Sequence, residues 1–165
     1  MKSLIASIMV LGLVGLVVAA AVQAVTEASV AATVTVQNIS VSVADGTVAY
    51  GTIGAGTSKS TLELSPVDIQ TATNNGNVTE NLNIRGQNSS PAGWTLAATA
   101  GANQYVHEFS KNSGGLWTAL TTINQTLATG VASSGTQTFD LKITTPSSAT
   151  DYTAQSVNVT VQATI

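Results

Sequence analysis

The sequence contains no cysteine, a single histidine (His107) and very few charged side chains. The missing cysteines exclude disulfides, thiolate catalysis, Cys-bound zinc and a lipid-modified N-terminal cysteine. Charged residues make up 8% of the chain, compared with roughly 25% in an average soluble protein. The five Lys and Arg residues are scattered and the net charge is −3, so the chain lacks the basic cluster that nucleic-acid binding needs.

Thr, Ser, Asn, Ala, Val and Gly take the place of the charges, and apolar residues alternate with hydroxyl-bearing residues over most of the chain. This alternation is typical of β-strands with one solvated face. The high content of β-branched residues and the small net charge argue against disorder. A length of 165 residues predicts one domain plus a processed segment.

The N-terminus has the composition of an export signal. Lys2 precedes a long apolar run, and Val22 and Ala24 occupy the −3 and −1 positions of a signal peptidase site. Residues 1–24 are therefore predicted to be a secretory signal peptide, and the mature protein to be secreted or held at the cell surface. The apolar residues 4–22 approach the roughly 20 residues of a membrane-spanning helix, so an uncleaved membrane anchor is the alternative.

The rest of the chain predicts short strands separated by turns rich in Gly, Ser and Asn. The predicted strands lie at residues 31–43, 47–51, 61–64, 67–73, 78–84, 93–99, 104–110, 116–120, 136–144 and 155–165. About nine strands of this kind predict an all-β fold: a single antiparallel Ig-like or Greek-key β-sandwich over residues 37–165, preceded by the apolar helix of the signal peptide. Residues 25–36 form a separate N-terminal segment and a possible donor strand.

The stretch NNGNVTENLNIRG, residues 74–86, raises the question of an ion or sugar site. The Asn75-Gly76 step tolerates positive φ and predicts a tight turn. A cation site needs several carboxylates, and only Glu80 is close. We expect a hairpin turn followed by a strand whose asparagines lie on the solvated face, opposite the core.

Catalytic motifs are incomplete. His107-Glu108 begins like a zinc protease motif, but Lys111 stands where the second histidine is needed. No serine lies in a G-x-S-x-G elbow, and the eight acidic residues are dispersed along the chain. The sequence predicts no catalytic residue, no metal site and no cofactor, and therefore a protein that is not an enzyme.

Candidate binding and modification residues remain. Trp94 and Trp117 are the aromatic residues most suited to stacking on a sugar, although core packing is the alternative for both. Sequons for N-glycosylation, which matter only if the host glycosylates its exported proteins, occur at five asparagines: Asn38, Asn77, Asn88, Asn124 and Asn158.

Three stretches resemble secreted β-sandwich proteins of bacterial and archaeal surfaces. Residues 71–84, TATNNGNVTENLNI, are similar to a strand, turn and strand of TasA/camelysin-like and other Ig-like surface proteins. Residues 91–99, PAGWTLAAT, resemble the first Trp-x-Leu motif of WxL cell-surface domains, and the closing DYTAQSVNVTVQATI resembles their terminal strand. That family places a second Trp-x-Leu where this chain has Val159-Thr160-Val161. The resemblance implies a non-catalytic envelope or matrix protein.

Two functions follow as hypotheses. The first is a structural protein of the cell surface or extracellular matrix, a filament subunit in which residues 25–36 of one copy complete a sheet of the next. The alternative pairing of this segment within its own sandwich stays open. The second is a carbohydrate- or cell-wall-binding module. The partner is accordingly another copy of the chain or a cell-wall polysaccharide, and the membrane is a partner only through residues 4–22.

Mass spectrometry of the protein recovered from its host tests the export signal. Cleavage after Ala24 predicts a mature chain that begins at Val25. A chain that retains Met1 would instead be anchored through its first helix.

Overall fold

The computed structural model describes residues 27–165, and within this range it contains ten β-strands and no α-helix. The strands are β1 Val41–Ala44, β2 Ser58–Ser60, β3 Gln70–Asn74, β4 Glu80–Arg85, β5 Thr95–Leu96, β6 Gln104–Ser110, β7 Thr118–Ala119, β8 Gln125–Val131, β9 Thr136–Thr144 and β10 Thr160–Thr164. The prediction of an all-β fold is confirmed. The predicted signal helix at residues 1–24 lies outside the described residues.

Two sheets are formed. The larger has the strand order β1-β3-β9-β6-β5, with β2 paired to β9 and β7 paired to β6. The smaller has the order β10-β4-β8. Residues 36–165 form one compact unit, and residues 27–35 belong to a separate one. Among residues 27–165, no helix is long and apolar enough to cross a membrane.

One apolar core is shared by the two sheets. Alternate residues of β4 and β8 supply Leu82, Ile84 and Leu127, while β6 and β9 supply Phe109 and Phe139. The alternation follows from the two-residue period of a strand, which turns every second side chain to the same face. Burial of each such side chain contributes about 1.5–3 kcal/mol, so this core supplies most of the stabilisation.

Two elements differ from the sequence prediction. Residues 61–64 were expected as a strand, but Thr61–Glu63 form a 3-10 helix. The carboxylate of Glu63 accepts hydrogen bonds from the backbone N–H of Ser60 at 2.6 Å and from its hydroxyl at 3.0 Å. A carboxylate that accepts the backbone N–H three residues earlier is one of the two contacts of a capping box. It stabilises a helical turn where the apolar alternation of the sequence suggested an extended chain.

The antiparallel expectation also needs correction, because β5 pairs with β6 in parallel. Asn103, with φ of +53°, helps the chain reverse between the two strands, and asparagine tolerates this conformation better than most residues. Strand β8 was not predicted at all, since its seven residues QTLATGV bury only Leu127 fully.

Three segments with strand-like sequence lack strand partners in the described part of the chain. They comprise most of residues 31–43, where only β1 is a strand, all of residues 47–51, and residues 155–159, which contain one isolated bridge at Ser156. Their sequences alternate as strands do, yet the structure provides no neighbouring strand for them.

Replacing Leu127 with Ala tests whether β8 closes the common core. We expect a loss of about 2–5 kcal/mol in the free energy of unfolding, because the cavity lies between both sheets. Chemical denaturation of the purified protein measures it. The control is Thr126→Ala, which changes an exposed position of the same strand and should shift the stability by less than about 0.5 kcal/mol. Equal effects of the two substitutions would contradict this assignment of the core.

Candidate functional site

A cleft with a volume of about 1230 Å³ lies among the described residues. Its lining includes residues 46–48, 50–53 and 152–161. Side chains of the larger sheet, among them His107, Phe139 and Ile143, also line it. Small-molecule pockets typically enclose about 300–1,000 Å³, so this cleft has room for a short segment of polypeptide.

Two segments that line the cleft lie outside the hydrogen-bonded ladders of the sheets. Within the described range, neither residues 48–53 nor residues 157–159 take part in any backbone–backbone hydrogen bond, although the carbonyl oxygen of Tyr50 accepts from the Nζ of Lys59 at 2.9 Å. Val157, Val159 and Val161 share one parity, are half-buried and line the cleft together with polar side chains. A cleft bordered by segments without strand partners is suited to accept an additional strand.

His107 lies on the inner face of β6 and is 2% exposed. Its Nε2 is 3.0 Å from the hydroxyl of Tyr50, and the two rings meet edge to face. Its Nδ1 has no hydrogen-bond partner among the described residues. His107, which we considered as a zinc ligand from the sequence, therefore forms a largely buried pair with Tyr50 at the cleft.

Burial determines the protonation of this pair. Loss of hydration lowers the pKa of His107 to about 4, against a smaller opposing effect of the Val157 backbone. Burial, together with the nearby charge of Asp68, raises the pKa of Tyr50, and burial also raises the pKa of Tyr105, whose ring is 6.4 Å from that of His107. Both tyrosines stay neutral as the pH falls, so the imidazole is the group of this trio that titrates in acid.

Trp94 lies at one end of the cleft. The indole is half-buried, its Nε1 donates to the carbonyl oxygen of Asp151 at 3.2 Å, and its ring is 6.4 Å from that of Tyr105. Gln155 lies at the same end, and its buried Oε1 has no partner within residues 27–165. Tyr152, 83% exposed, is the open aromatic residue of this region.

Trp117 lies elsewhere. It precedes β7. Strand β7 pairs with the C-terminal end of β6, whereas β5 pairs with the N-terminal end of β6. The ammonium of Lys142 lies 4.7 Å from the centroid of the indole and also pairs with Glu108 at 2.7 Å. Trp94 and Trp117 are both half-buried and occupy separate surfaces, so the structure does not bring them together as one aromatic platform.

All five sequon asparagines are exposed. Asn158 lines the cleft. Asn38 and Asn77 meet, because the Oδ1 of Asn77 accepts the backbone N–H of Asn38 at 2.8 Å. Asn88 accepts the backbone N–H of Leu96 at 3.0 Å, and Asn124 contacts Arg85 at 3.3 Å.

The described residues contain no cluster of three or more His, Asp or Glu side chains suited to a metal ion. Comparison of the chain with models of known families, with curated protein sequences and with solved structures finds no match. The function therefore has to be argued from the cleft and the segments that surround it.

Sequence reasoning did not find the cleft, and it passed over Tyr50 as a partner of His107. The alternation of Tyr105, His107 and Phe109 did place the histidine on the apolar face of its strand. What the pattern lacked is any sign that residues 47–51 and 155–159 would remain without strand partners. That information depends on the tertiary arrangement.

The buried imidazole predicts a loss of stability in acid. The pKa of His107 is lower in the folded protein than the ordinary value of 6.5, so below pH 6.5 the unfolded chain binds the proton first. Stability is complete above about pH 6.5 and declines as the pH falls towards 4, by about 2 kcal/mol at pH 4.5.

Urea unfolding of the wild type and of His107→Gln at several pH values measures this contribution. Glutamine retains an acceptor for the Tyr50 hydroxyl but cannot titrate. The difference between the two stabilities should change by about 2 kcal/mol between pH 7 and pH 4.5. A difference that stays constant across this interval would show that His107 does not carry the effect.

Proposed function

We propose that this protein is a non-catalytic structural protein of the cell surface or extracellular matrix, and that it assembles into filaments by strand donation. In this assembly the N-terminal arm, residues 25–36, of one copy enters the cleft of another. The observation that carries the proposal is the coincidence of a cleft that is partly apolar and bordered by segments without strand partners with a strand-like arm, outside any strand, in the same chain.

The arm has the pattern of a donor strand. Val30, Ala32, Val34 and Val36 share one parity, while Ser, Ala and Thr fill the other. None of residues 27–36 lies in a strand, and the three valines are 93%, 93% and 83% exposed. Apolar residues exposed in so regular a row are unfavourable in water. Burial of each valine in a partner would contribute about 1.5–3 kcal/mol.

The cleft has the complementary pattern. Its edge segments make no backbone–backbone hydrogen bonds, and its lining includes the apolar side chains of Phe139, Leu141 and Ile143. An inserted strand would satisfy the main chain on its edges and place every second side chain against this apolar surface. Because the main chain supplies the hydrogen bonds, the arm needs apolar residues at one parity, and its single charged residue, Glu27, precedes the row of valines and lies at the other parity.

The finer predictions from the sequence belong to the same proposal. A signal peptide at residues 1–24 would deliver the chain across the membrane, and its removal would free the arm. An Ig-like or Greek-key sandwich is the topology that the resemblance to WxL and TasA/camelysin-like proteins implies. Two sheets around one core support a sandwich of this general kind.

The carbohydrate-binding alternative has one supporting feature. Trp94 and Tyr152 both border one end of the cleft, with Gln155 between them in the lining. Trp94 is half-buried and already donates its Nε1 hydrogen to Asp151, which leaves it less surface for a sugar. Retention of Trp94→Ala protein on isolated cell walls would argue against this alternative.

Cysteine cross-linking tests strand donation directly, because the natural chain has no cysteine. We expect the variant with Val34→Cys and Val159→Cys, oxidised after export, to give a ladder of dimers, trimers and longer species on non-reducing gels. The matched control pairs Val34→Cys with Gln162→Cys, an exposed position of β10 that lies at the opposite parity and outside the cleft lining. This control should cross-link at least about tenfold less if the two sites differ by about 1.4 kcal/mol in their access to the arm.

Light scattering of the mature wild type accompanies this experiment. Strand donation predicts polymers whose fraction rises with concentration. A species that stays monomeric at high concentration, with residues 27–36 protected from hydrogen exchange, would show that the arm pairs within its own chain and would sink the filament proposal.

A further inference from the structure

The polar stretch at residues 74–80 lies against the chain that leads into the arm. The side-chain amide of Asn77 makes two hydrogen bonds to main chain: its Nδ2 donates to the carbonyl oxygen of Val36 and its Oδ1 accepts from the N–H of Asn38, each at 2.8 Å. Its own backbone N–H donates to the carbonyl oxygen of Asn38 at 3.2 Å. One side chain thus bonds two positions two residues apart, as a residue of a neighbouring parallel strand does.

Two further hydrogen bonds hold Ser40. The backbone N–H of Ser40 donates to Oε1 of Glu80 at 2.9 Å, and the carbonyl oxygen of Ser40 accepts from the N–H of Asn75 at 2.8 Å. Residues 36–40 are otherwise outside any strand. Their attachment to the body therefore depends on the polar groups of residues 74–80, which we call the clasp.

The clasp is itself built into the core. Asn74 is 0% exposed, donates to the carbonyl oxygens of Val78 and Val131 at 2.8 and 2.9 Å, and accepts the N–H of Gly76 at 2.7 Å. Glu80 is 1% exposed. Its Oε1 accepts from Ser40, while its Oε2 has no hydrogen-bond partner among the described residues. A buried polar group with several partners, such as the amide of Asn74, holds a single conformation, because each alternative would leave a group unpaired.

Glycine is required at position 76. A Cβ atom there would lie 2.1 Å from Oε1 of Glu80 and 2.4 Å from the carbonyl oxygen of Asn38. Both distances are far below van der Waals contact, so the absence of a side chain is what lets the chain of residue 38 pack against the turn. The turn and the chain leading to the arm are fitted to each other.

We infer that the clasp positions the arm for assembly: it orders residues 36–40, and through them presents the preceding residues as a strand that can enter the cleft of another copy. This inference rests on the proposed function. Asn77 is the positioning residue, since it substitutes for a strand partner at the point where the arm begins. The clasp limits the number of conformations that the arm must abandon when it inserts, and so reduces the entropic cost of assembly.

Neither a solvated turn nor an ion site accounts for these contacts. The expected hairpin is wrong, because β3 and β4 belong to different sheets and the turn between them carries the buried side chains of Asn74 and Glu80. The expected position of the strand asparagines agrees with the structure, since Asn81 and Asn83 lie opposite the buried face of β4. The clasp also lacks the ligands of a cation site. Glu80 is its sole carboxylate, and both the oxygen and the nitrogen of the Asn77 amide are hydrogen-bonded to main chain.

The experiment compares Asn77→Ala and Asn77→Asp with the wild type in the mature full-length chain. Alanine removes both side-chain bonds. Aspartate is of the same size and keeps the acceptor for Asn38, but it places an oxygen against the carbonyl oxygen of Val36. Exchange of the Asn38 amide in the monomer, followed by NMR, measures the order of the clasp, and light scattering measures the rate of polymer formation.

We expect exchange of the Asn38 amide to accelerate by about fivefold in Asn77→Ala, from the loss of a hydrogen bond with a net value near 1 kcal/mol. Polymer formation should slow by a similar factor in both variants. The thermal unfolding temperature of the monomer should change little, because the side chain of Asn77 is exposed.

Two control variants separate the amide of Asn77 from a glycan at the same position and from the neighbouring amide of the turn. Thr79→Ala removes the glycosylation sequon of Asn77 and leaves its amide intact. Asn75→Ala removes an exposed amide that bonds only the hydroxyl of Ser42. Both controls should assemble at the wild-type rate. If Thr79→Ala slows assembly as much as Asn77→Ala does, a glycan on Asn77 is responsible and the inference is wrong.

The remaining outcomes distinguish the inference from the proposed function. Asn77 variants that assemble at the wild-type rate, or that leave exchange of the Asn38 amide unchanged, contradict the clasp and leave strand donation standing. A wild-type chain that forms neither polymers nor the cysteine ladder contradicts strand donation itself, and the role of the clasp in assembly falls with it.

Discussion

The requirement that main-chain polar groups be hydrogen-bonded organises this molecule more than any side-chain chemistry does. Ten strands, together with hydrogen bonds in turns and loops, meet the requirement over much of the described chain. Residues 48–53 and 157–159 make no backbone–backbone hydrogen bond, and both segments contribute to the lining of the same cleft. Main-chain groups of this kind are satisfied by side chains, by water or by another strand, and a strand would also cover the apolar side chains of the cleft.

Apolar and polar contacts have separate tasks in this arrangement. In the proposed assembly, the alternating valines of the arm and the apolar side chains of the cleft would supply affinity, which depends on area and tolerates variation in the exact side chain. The clasp would supply geometry, because hydrogen bonds at fixed distances hold one conformation of residues 36–40. His107 and Tyr50 form a third kind of contact, a buried neutral pair that belongs to the floor of the cleft. Its position couples the acidity of the medium to the stability of the acceptor.

Local pattern predicted the strands that lie in the core. The alternation of Phe139, Leu141 and Ile143 predicted residues 136–144, and the structure has β9 at the same bounds; residues 104–110 and β6 agree equally. Strand β8 was missed because one buried leucine gives no periodicity. The 3-10 helix was missed although Ser60 and Glu63 have the spacing of a capping box, since the apolar alternation of residues 61–64 was given more weight.

The candidate site was less accessible to sequence reasoning. Parity placed Asn77 correctly at the surface, but nothing local shows that its amide reaches main chain 41 positions earlier. Parity also placed Glu80 with the core residues Leu82 and Ile84, where a carboxylate is unexpected, and that conflict was the available signal of the clasp. The cleft had no signal of its own, because a segment with strand-like sequence looks the same whether or not a neighbour is present.

The scarcity of charge sets the physical character of any assembly this chain forms. Charged residues are 8% of the sequence, and the described residues contain one ion pair, between Lys142 and Glu108. Contacts made by main chain and valine are almost indifferent to dissolved ions, since screening acts on charges alone. They do respond to temperature, because the hydrophobic contribution weakens on cooling. A fibre built in this way would persist in fresh water and in brine alike, and cold would loosen it before salt did.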